Sequence, residues 1–183
     1  MRYEQTVYLK NGAECQIRSA AESDAEDICS IFRLTHAQTD FLLSYPDECS
    51  LDAGQERQFL RQKENSENEI ELCAVLGGRI VGIAGIQALG NQYKLRHRAE
   101  FGVSVAKDCW HLGIGRALLA ACIDCACRAG YAQLELDVVS ENVHALDLYK
   151  SMGFVEYGRN PRGFRSRSAG WQELVLMRRE LGG

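Results

Sequence analysis

No run of apolar residues in this 183-residue chain approaches the ~18 that a membrane span requires. The opening Met1-Arg2-Tyr3-Glu4-Gln5-Thr6 lacks the apolar core of a secretion signal, so a soluble, cytoplasmic protein is expected. Basic residues are not in surplus: 21 Lys and Arg stand against 25 Asp and Glu, a formal charge of −4. A nucleic-acid surface would need the opposite sign, so no nucleic-acid partner is expected. Internal repeats, low-complexity tracts and Pro- or Gly-rich linkers are also missing, which points to one domain over residues 1–183. A chain this long buries roughly 70% of its unfolded surface and needs no covalent staple. Its eight cysteines (Cys15, Cys29, Cys49, Cys73, Cys109, Cys122, Cys125 and Cys127) follow no small-domain disulfide spacing. Most are expected to act as small buried hydrophobes. Cys122-x-x-Cys125-x-Cys127 lies inside a helical run with no second cysteine pair at knuckle spacing, so no metal is expected.

What is present is hydrophobic patterning in an ordinary globular composition, 46% hydrophobic and 25% charged. Cys15 to Arg18 reads as a short strand. Ser23-Asp24-Ala25-Glu26 reads as a capping box, followed by a helix with Ile28, Ile31, Phe32 and Thr35 on one face. Pro46 and Ser50-Leu51-Asp52 break the chain before a second helix through Glu56 to Gln62. From Glu69 the period becomes two. Ile70, Leu72, Ala74 and Leu76 alternate, Gly77-Gly78 makes a hairpin turn, and strands over Ile80–Leu89 and Arg98–Val105 complete a meander. A helix from Gly113 to about Ala129, a strand over Leu134–Val139, a helix over Asn142–Met152 and two last strands follow. The order β-α-α-β-β-β-α-β-α-β-β mixes hairpins with one β-α-β unit, so the class is α+β around a mixed, mostly antiparallel sheet flanked by helices.

The segment Arg98 to Ala129 carries the chemistry. A strand leads through a short connection into Gly113-Ile114-Gly115 and a helix. A helix start leaves about four N–H groups unpaired and carries roughly half a positive charge, and two glycines let a pyrophosphate approach it closely. By itself the pair of glycines is equally an ordinary tight turn. A dinucleotide-binding fingerprint is the strongest rival. Its third glycine falls on Leu118, although Asp137 lies about 20 residues downstream where a ribose-binding acid would stand.

Cys109-Trp110-His111-Leu112-Gly113-Ile114-Gly115-Arg116-Ala117-Leu118-Leu119 resembles the cofactor motif of the GNAT superfamily of acyl-CoA-dependent N-acetyltransferases. Trp110 stands where that motif usually has Arg or Gln. Asn142-x-x-Ala145-x-x-Leu148-Tyr149-x-x-x-Gly153-Phe154 resembles the later helix of the same family. The resemblance implies an enzyme that takes acetyl-CoA as cosubstrate and acetylates a primary amine of an acceptor left unidentified. Backbone groups of Val103 and Val105 would then run along the pantetheine arm, in a V-shaped cleft opened by a splay after the central strand. The N–H groups from about Leu112 to Arg116, including Gly113, Ile114 and Gly115, would hold the pyrophosphate, with Trp110 and His111 beside them. An acyl-CoA sensor without turnover is the alternative, and either reading is compatible with a homodimer.

Aminolysis of a thioester needs a neutral amine, a polarised carbonyl and a proton for the departing sulfur. Asn142, Ala145 and Tyr149 share a helix face, so small Ala145 leaves room beside Tyr149 and Asn142 either caps the helix or bonds the pantetheine amides. Tyr149 is the candidate acid, against a core aromatic with a satisfied hydroxyl. Glu100 is the candidate base, acting through water from a strand whose alternation puts Glu100, Gly102 and Ser104 on one face. Its competing role is an ion pair with Arg98. His97, His111 and His144 read as solvated or packed, with proton relay as the alternative. Arg159 to Arg167 reads as a basic loop, solvated or reaching the cofactor phosphates, and the family resemblance implies that it borders the acceptor.

Overall fold

The computed structural model describes residues 1–48 and 52–182. Its strands are β1 (Glu4–Tyr8), β2 (Glu14–Ser19), β3 (Ile70–Leu76), β4 (Arg79–Ala88), β5 (Arg98–Val105), β6 (Gln133–Val139), β7 (Val155–Ser166) and β8 (Gly170–Glu180). The helices are α1 (Ala25–Gln38) and α2 (Ala53–Glu64) between β2 and β3, α3 (Ile114–Arg128) between β5 and β6, and α4 (Val143–Ser151) between β6 and β7. One sheet runs in the order β1-β2-β3-β4-β5-β6-β8-β7, antiparallel except where β5 meets β6. No described helix is long and apolar enough to cross a membrane.

Period-two patterning divides β3 between two layers. Ile70, Leu72 and Ala74 pack with Leu118, Leu119 and Cys122 of α3, whereas Cys73 packs with Ile28, Ile31 and Leu60 of α1 and α2. Burying one such Leu or Ile contributes roughly 1.5–3 kcal/mol, which is how these amphipathic stripes hold the helices to opposite faces. Cys122 and Cys125 are in that core, and burial pushes both thiols up, while Cys127 is exposed. Cys49 and the Ser50-Leu51 break lie outside the described residues.

The secondary structure departs from the sequence reading in three places. An extra edge strand, β1, precedes the expected first one. It is exposed along most of its length, so no burial pattern announces it, and its ladder to β2 from Glu4↔Arg18 to Tyr8↔Glu14 holds it. The capping box at Ser23 and Glu26 does not form. Asp24 takes the Ala21 N–H at 2.8 Å while Arg18 grips its carboxylate at 2.6 and 2.9 Å, so a short 3-10 turn over Glu22–Asp24, capped at Ala21, leads into α1 at Ala25. The supposed basic loop lies almost wholly in β7, whose ladder to β8 resumes at Phe164↔Gln172 after an irregularity.

Beneath α2, Glu71 lies opposite Gly85 of β4, where a side chain's Cβ would sit 2.3 Å from its Oε2. Burial, with Glu56 nearby and only Lys63 opposing, pushes the Glu71 carboxyl up to about 7. Between the ordinary glutamate value near 4.3 and that value, the folded chain holds a proton the unfolded chain has released. Stability is therefore lost as pH rises through this window. Glu71→Gln removes the charge, so its melting temperature should exceed the wild type's by about 3–6 °C at pH 8 and match it near pH 4. An unchanged difference across that range, in thermal melts, would rule the assignment out.

Candidate active site

β5 pairs with β6 only from Arg98↔Gln133 to Glu100↔Glu135. Beyond that point each strand stays with its other neighbour: β5 with β4 to Gly82↔Val105, β6 with β8 to Val139↔Leu174. The two halves of the sheet thus part at Phe101, and the gap opens into a cleft of about 780 Å³. Val103, Val105, Trp110, His111, Gly113, Ile114, Gly115, Arg116, Asn142, Ala145 and Tyr149 line it. Of the residues expected there, Leu112 and Glu100 do not. Leu112 packs against the core, and its carbonyl accepts the Lys10 N–H at 3.0 Å.

Gly113 sits at φ 102°, ψ 0°, a left-handed conformation in which a side chain is strained, and no side chain caps α3. The first N–H groups of the helix therefore face the cleft without a partner among the described residues. A Cβ on Gly115 would meet nothing nearer than Leu148 Cδ2 at 3.6 Å, which shows an open approach to those groups. The open end, the dipole and the absence of a capping carboxylate suit an anion such as a pyrophosphate. His111 (φ 63°) is the one non-glycine residue at positive φ among those described, and its ring meets His144 edge-on at 4.8 Å. Trp110, at the Arg/Gln position of the motif, donates Nε1–H to the Val105 carbonyl at 2.7 Å. That bond occupies the Val105 carbonyl and leaves Val103 as the free backbone edge of β5.

Tyr149 is buried on α4, its ring edge-on to Phe101 at 6.2 Å and tilted against Phe154 at 5.9 Å. Its hydroxyl makes no hydrogen bond among the described residues, yet is not one of their fully enclosed unpartnered atoms. It therefore opens on the cleft. Burial pushes its pKa well above the ordinary phenol value, so it stays protonated throughout the working range. Asn142 caps α4, accepting the Ala145 N–H at 3.3 Å.

Glu100 is on the opposite face of the sheet from Tyr149, exposed, at the last residue pair before the strands part. It has no partner in Arg98, whose guanidinium grips Glu135 at 2.5 and 2.8 Å. Partial burial and the nearby Asp137 and Glu135 carboxylates push Glu100 up, and burial with Glu135 does the same to Asp137. In the sequence, Asp137 reads only as a ribose-binding acid. Alternation on β6 puts it on one face with Glu135, and the register Glu100↔Glu135, which no local pattern carries, brings that face beside Glu100.

A second wall comes from the segment after α1. Thr39, Phe41 and Leu42 line the cleft, and so do Thr35 and Ser104, whose hydroxyls meet at 3.3 Å. The wall is tied to the turn between β7 and β8. Asp40 accepts the Tyr45 hydroxyl at 2.7 Å and also the Ser166 hydroxyl, while Arg167 reaches Asp47 at 2.8 Å and Glu48 at 3.3 Å. Arg159 is spent on Glu156 and Glu173, and Arg162 and Arg165 lie over the Trp171 ring. None of these arginines lines the cleft, so the basic segment braces the wall instead of forming its surface.

The acetyltransferase (GNAT) family model matches residues 33–154. The chain is 38% identical over 107 residues to the N-alpha-acetyltransferase RimI of Mycobacterium tuberculosis, covering 58% of this chain and 63% of that protein. It is 35% identical over 86 residues to the ribosomal protein bS18 alanine N-acetyltransferase of Escherichia coli, covering 47% of this chain and 57% of that protein. This chain thus spans less than two thirds of the length of either relative. A solved acetyltransferase of the GNAT family from Streptococcus pneumoniae superposes with a TM-score of 0.87 at 30% identity, over 92% of this chain and 99% of that one.

Proposed function

This chain belongs to the acetyltransferase (GNAT) family, and from that we propose that it transfers an acetyl group from acetyl-CoA to the α-amino group of an acceptor. The observation that carries the reading is the parting of β5 and β6 beside the unpartnered Tyr149 hydroxyl. Residues 1–183 act as a single domain in this reading, in keeping with the one continuous sheet. The open N-terminus of α3, with Gly113 and Gly115, holds the pyrophosphate, and the free edge of Val103 aligns the pantetheine arm. The thioester supplies an activated acyl group. A backbone N–H of β5 polarises its carbonyl, and Tyr149 donates a proton to the departing sulfur. The acceptor amine arrives from the other face of the sheet, where Glu100 and Asp137 take its proton through water. An α-amino acceptor is preferred because one relative is named an N-alpha-acetyltransferase and the other an alanine N-acetyltransferase, and the amine of alanine is an α-amine.

The test is thiol release from acetyl-CoA over peptides with free N-termini, the same peptides blocked at the N-terminus, and free amino acids. Turnover confined to blocked peptides that carry lysine would overturn the α-amino assignment. A pH series separates the base from the scaffold. An α-amine near pKa 7.7–8.0 is only about one-tenth neutral at pH 7, so deprotonation is worth at most about tenfold there. Glu100→Gln and Asp137→Asn should therefore lower kcat/KM by up to about tenfold at pH 7 and hardly at all at pH 9. A loss equal at both pH values would make the carboxylates structural.

A further inference from the structure

One wall of the cleft's phosphate end comes from outside the matched residues 33–154. Lys10, in the turn between β1 and β2, lines the same cleft as Gly113 and Gly115. The turn is built to hold a fixed shape. Leu9 N–H donates to Ala13 O at 2.9 Å, Asn11 Oδ1 accepts the Ala13 N–H at 3.1 Å, and Gly12 supplies the positive φ of 82°. Leu9 is buried in the α3 layer of the core, which anchors the turn. The Lys10 N–H then donates to the Leu112 carbonyl at 3.0 Å, tying the turn to the residues that lead into α3. The backbone is thus secured on both sides while the side chain is exposed. No described carboxylate pairs with its ammonium. The other strong cation lining the cleft, Arg116, is engaged, donating to Ser151 Oγ at 2.7 Å and to Met152 Sδ at 3.0 Å.

We infer that Lys10 binds a phosphate of acetyl-CoA, adding a mobile cation to a site otherwise made of backbone N–H groups. The inference rests on the proposed function and extends it to a residue that the family match does not cover. Lysine suits the place: a compact charge with three donors on a flexible stem follows a phosphate without demanding one geometry. The β1–β2 turn then has a purpose beyond extending the sheet, because it delivers this charge to the open end of α3.

Calorimetric titration of the full chain tests it, with acetyl-CoA and 3′-dephospho-acetyl-CoA as ligands and Lys10→Met and Lys10→Arg as variants. Methionine keeps the apolar stem and removes the charge. Lys10→Met should weaken acetyl-CoA binding by about three- to tenfold, Lys10→Arg should restore it, and the deficit should shrink at high salt. A deficit that persists with the dephospho ligand assigns the contact to the pyrophosphate, and one that vanishes assigns it to the 3′-phosphate. Both support the inference. The melting temperature without ligand should not move, and S-acetyl-pantetheine, which has no phosphate, should be turned over with unchanged kcat/KM. Wild-type binding together with an unaffected Lys10→Met, or an equal loss with S-acetyl-pantetheine, overturns this inference alone. A wild type that binds no acetyl-CoA overturns the functional reading as well.

Discussion

Tyr149→Phe should lower kcat by about 10²-fold while leaving the affinity for acetyl-CoA near that of the wild type. The ring keeps its packing against Phe101 and Phe154, and only a hydroxyl without a protein partner is lost. General acids contribute about 10²–10⁴-fold, and the environment of Tyr149 selects the lower end. Burial holds its proton more tightly than an ordinary phenol does, which makes it a weaker donor to a thiolate. The same shift bears on pH. An unperturbed phenol would lose activity near pH 10. With the pKa raised, the protonated, donating form persists above that point, so the wild type should show no alkaline decline up to pH 10. Steady-state kinetics with saturating acceptor decide the matter. Should the phenylalanine variant turn over at nearly the normal rate, the proton comes from water and Tyr149 is a core aromatic. Should neither protein release thiol over any amine while both bind acetyl-CoA, the chain is a sensor.

Gly115→Asp should abolish acetyl-CoA binding without harming the fold. A Cβ at this position meets only Leu148 Cδ2 at an ordinary 3.6 Å, so steric damage is not expected. A carboxylate in the first turn of α3 favours the helix by roughly 0.3–1 kcal/mol, so the free protein should melt at or slightly above the wild-type temperature. The same carboxylate takes the place of a pyrophosphate on the open N–H groups and repels it. In the wild type, acetyl-CoA at a hundredfold excess over Kd adds about 2.7 kcal/mol, or roughly 5–11 °C in a chain of this size. That shift should vanish in Gly115→Asp and largely survive in Gly115→Ala. A full shift in the aspartate variant would place the cosubstrate elsewhere.

The strands from Ile70 to Val105, the helix after Gly113 and the helix bearing Tyr149 were legible because their signals are local. Alternation, the 3.6-residue repeat and the two glycine punctuations each lie within a dozen neighbouring residues. The same periodicity put Asn142, Ala145 and Tyr149 on one face, and all three line the cleft. β1 was illegible for the converse reason: an exposed edge strand carries no burial pattern, and its stability lies in hydrogen bonds to residues that follow it.

By itself, then, the sequence determined the periods of its elements, the glycine turn at the start of α3 and the residues that share a face with Tyr149. The tertiary structure decided which side of β5 each face meets, where β5 and β6 part, and which charges neutralise one another. Alternation put Glu100 with Gly102 and Ser104, but only the sheet order set that face opposite Tyr149 and beside Asp137. Arg98 sits two residues from Glu100 in sequence but is held by Glu135, because the parallel register brings that carboxylate, 37 residues away, within reach of its guanidinium. Lys10 reaches the glycine turn across about a hundred residues of chain in the same way. Such pairings depend on register and distance in the folded sheet, and a linear pattern carries neither.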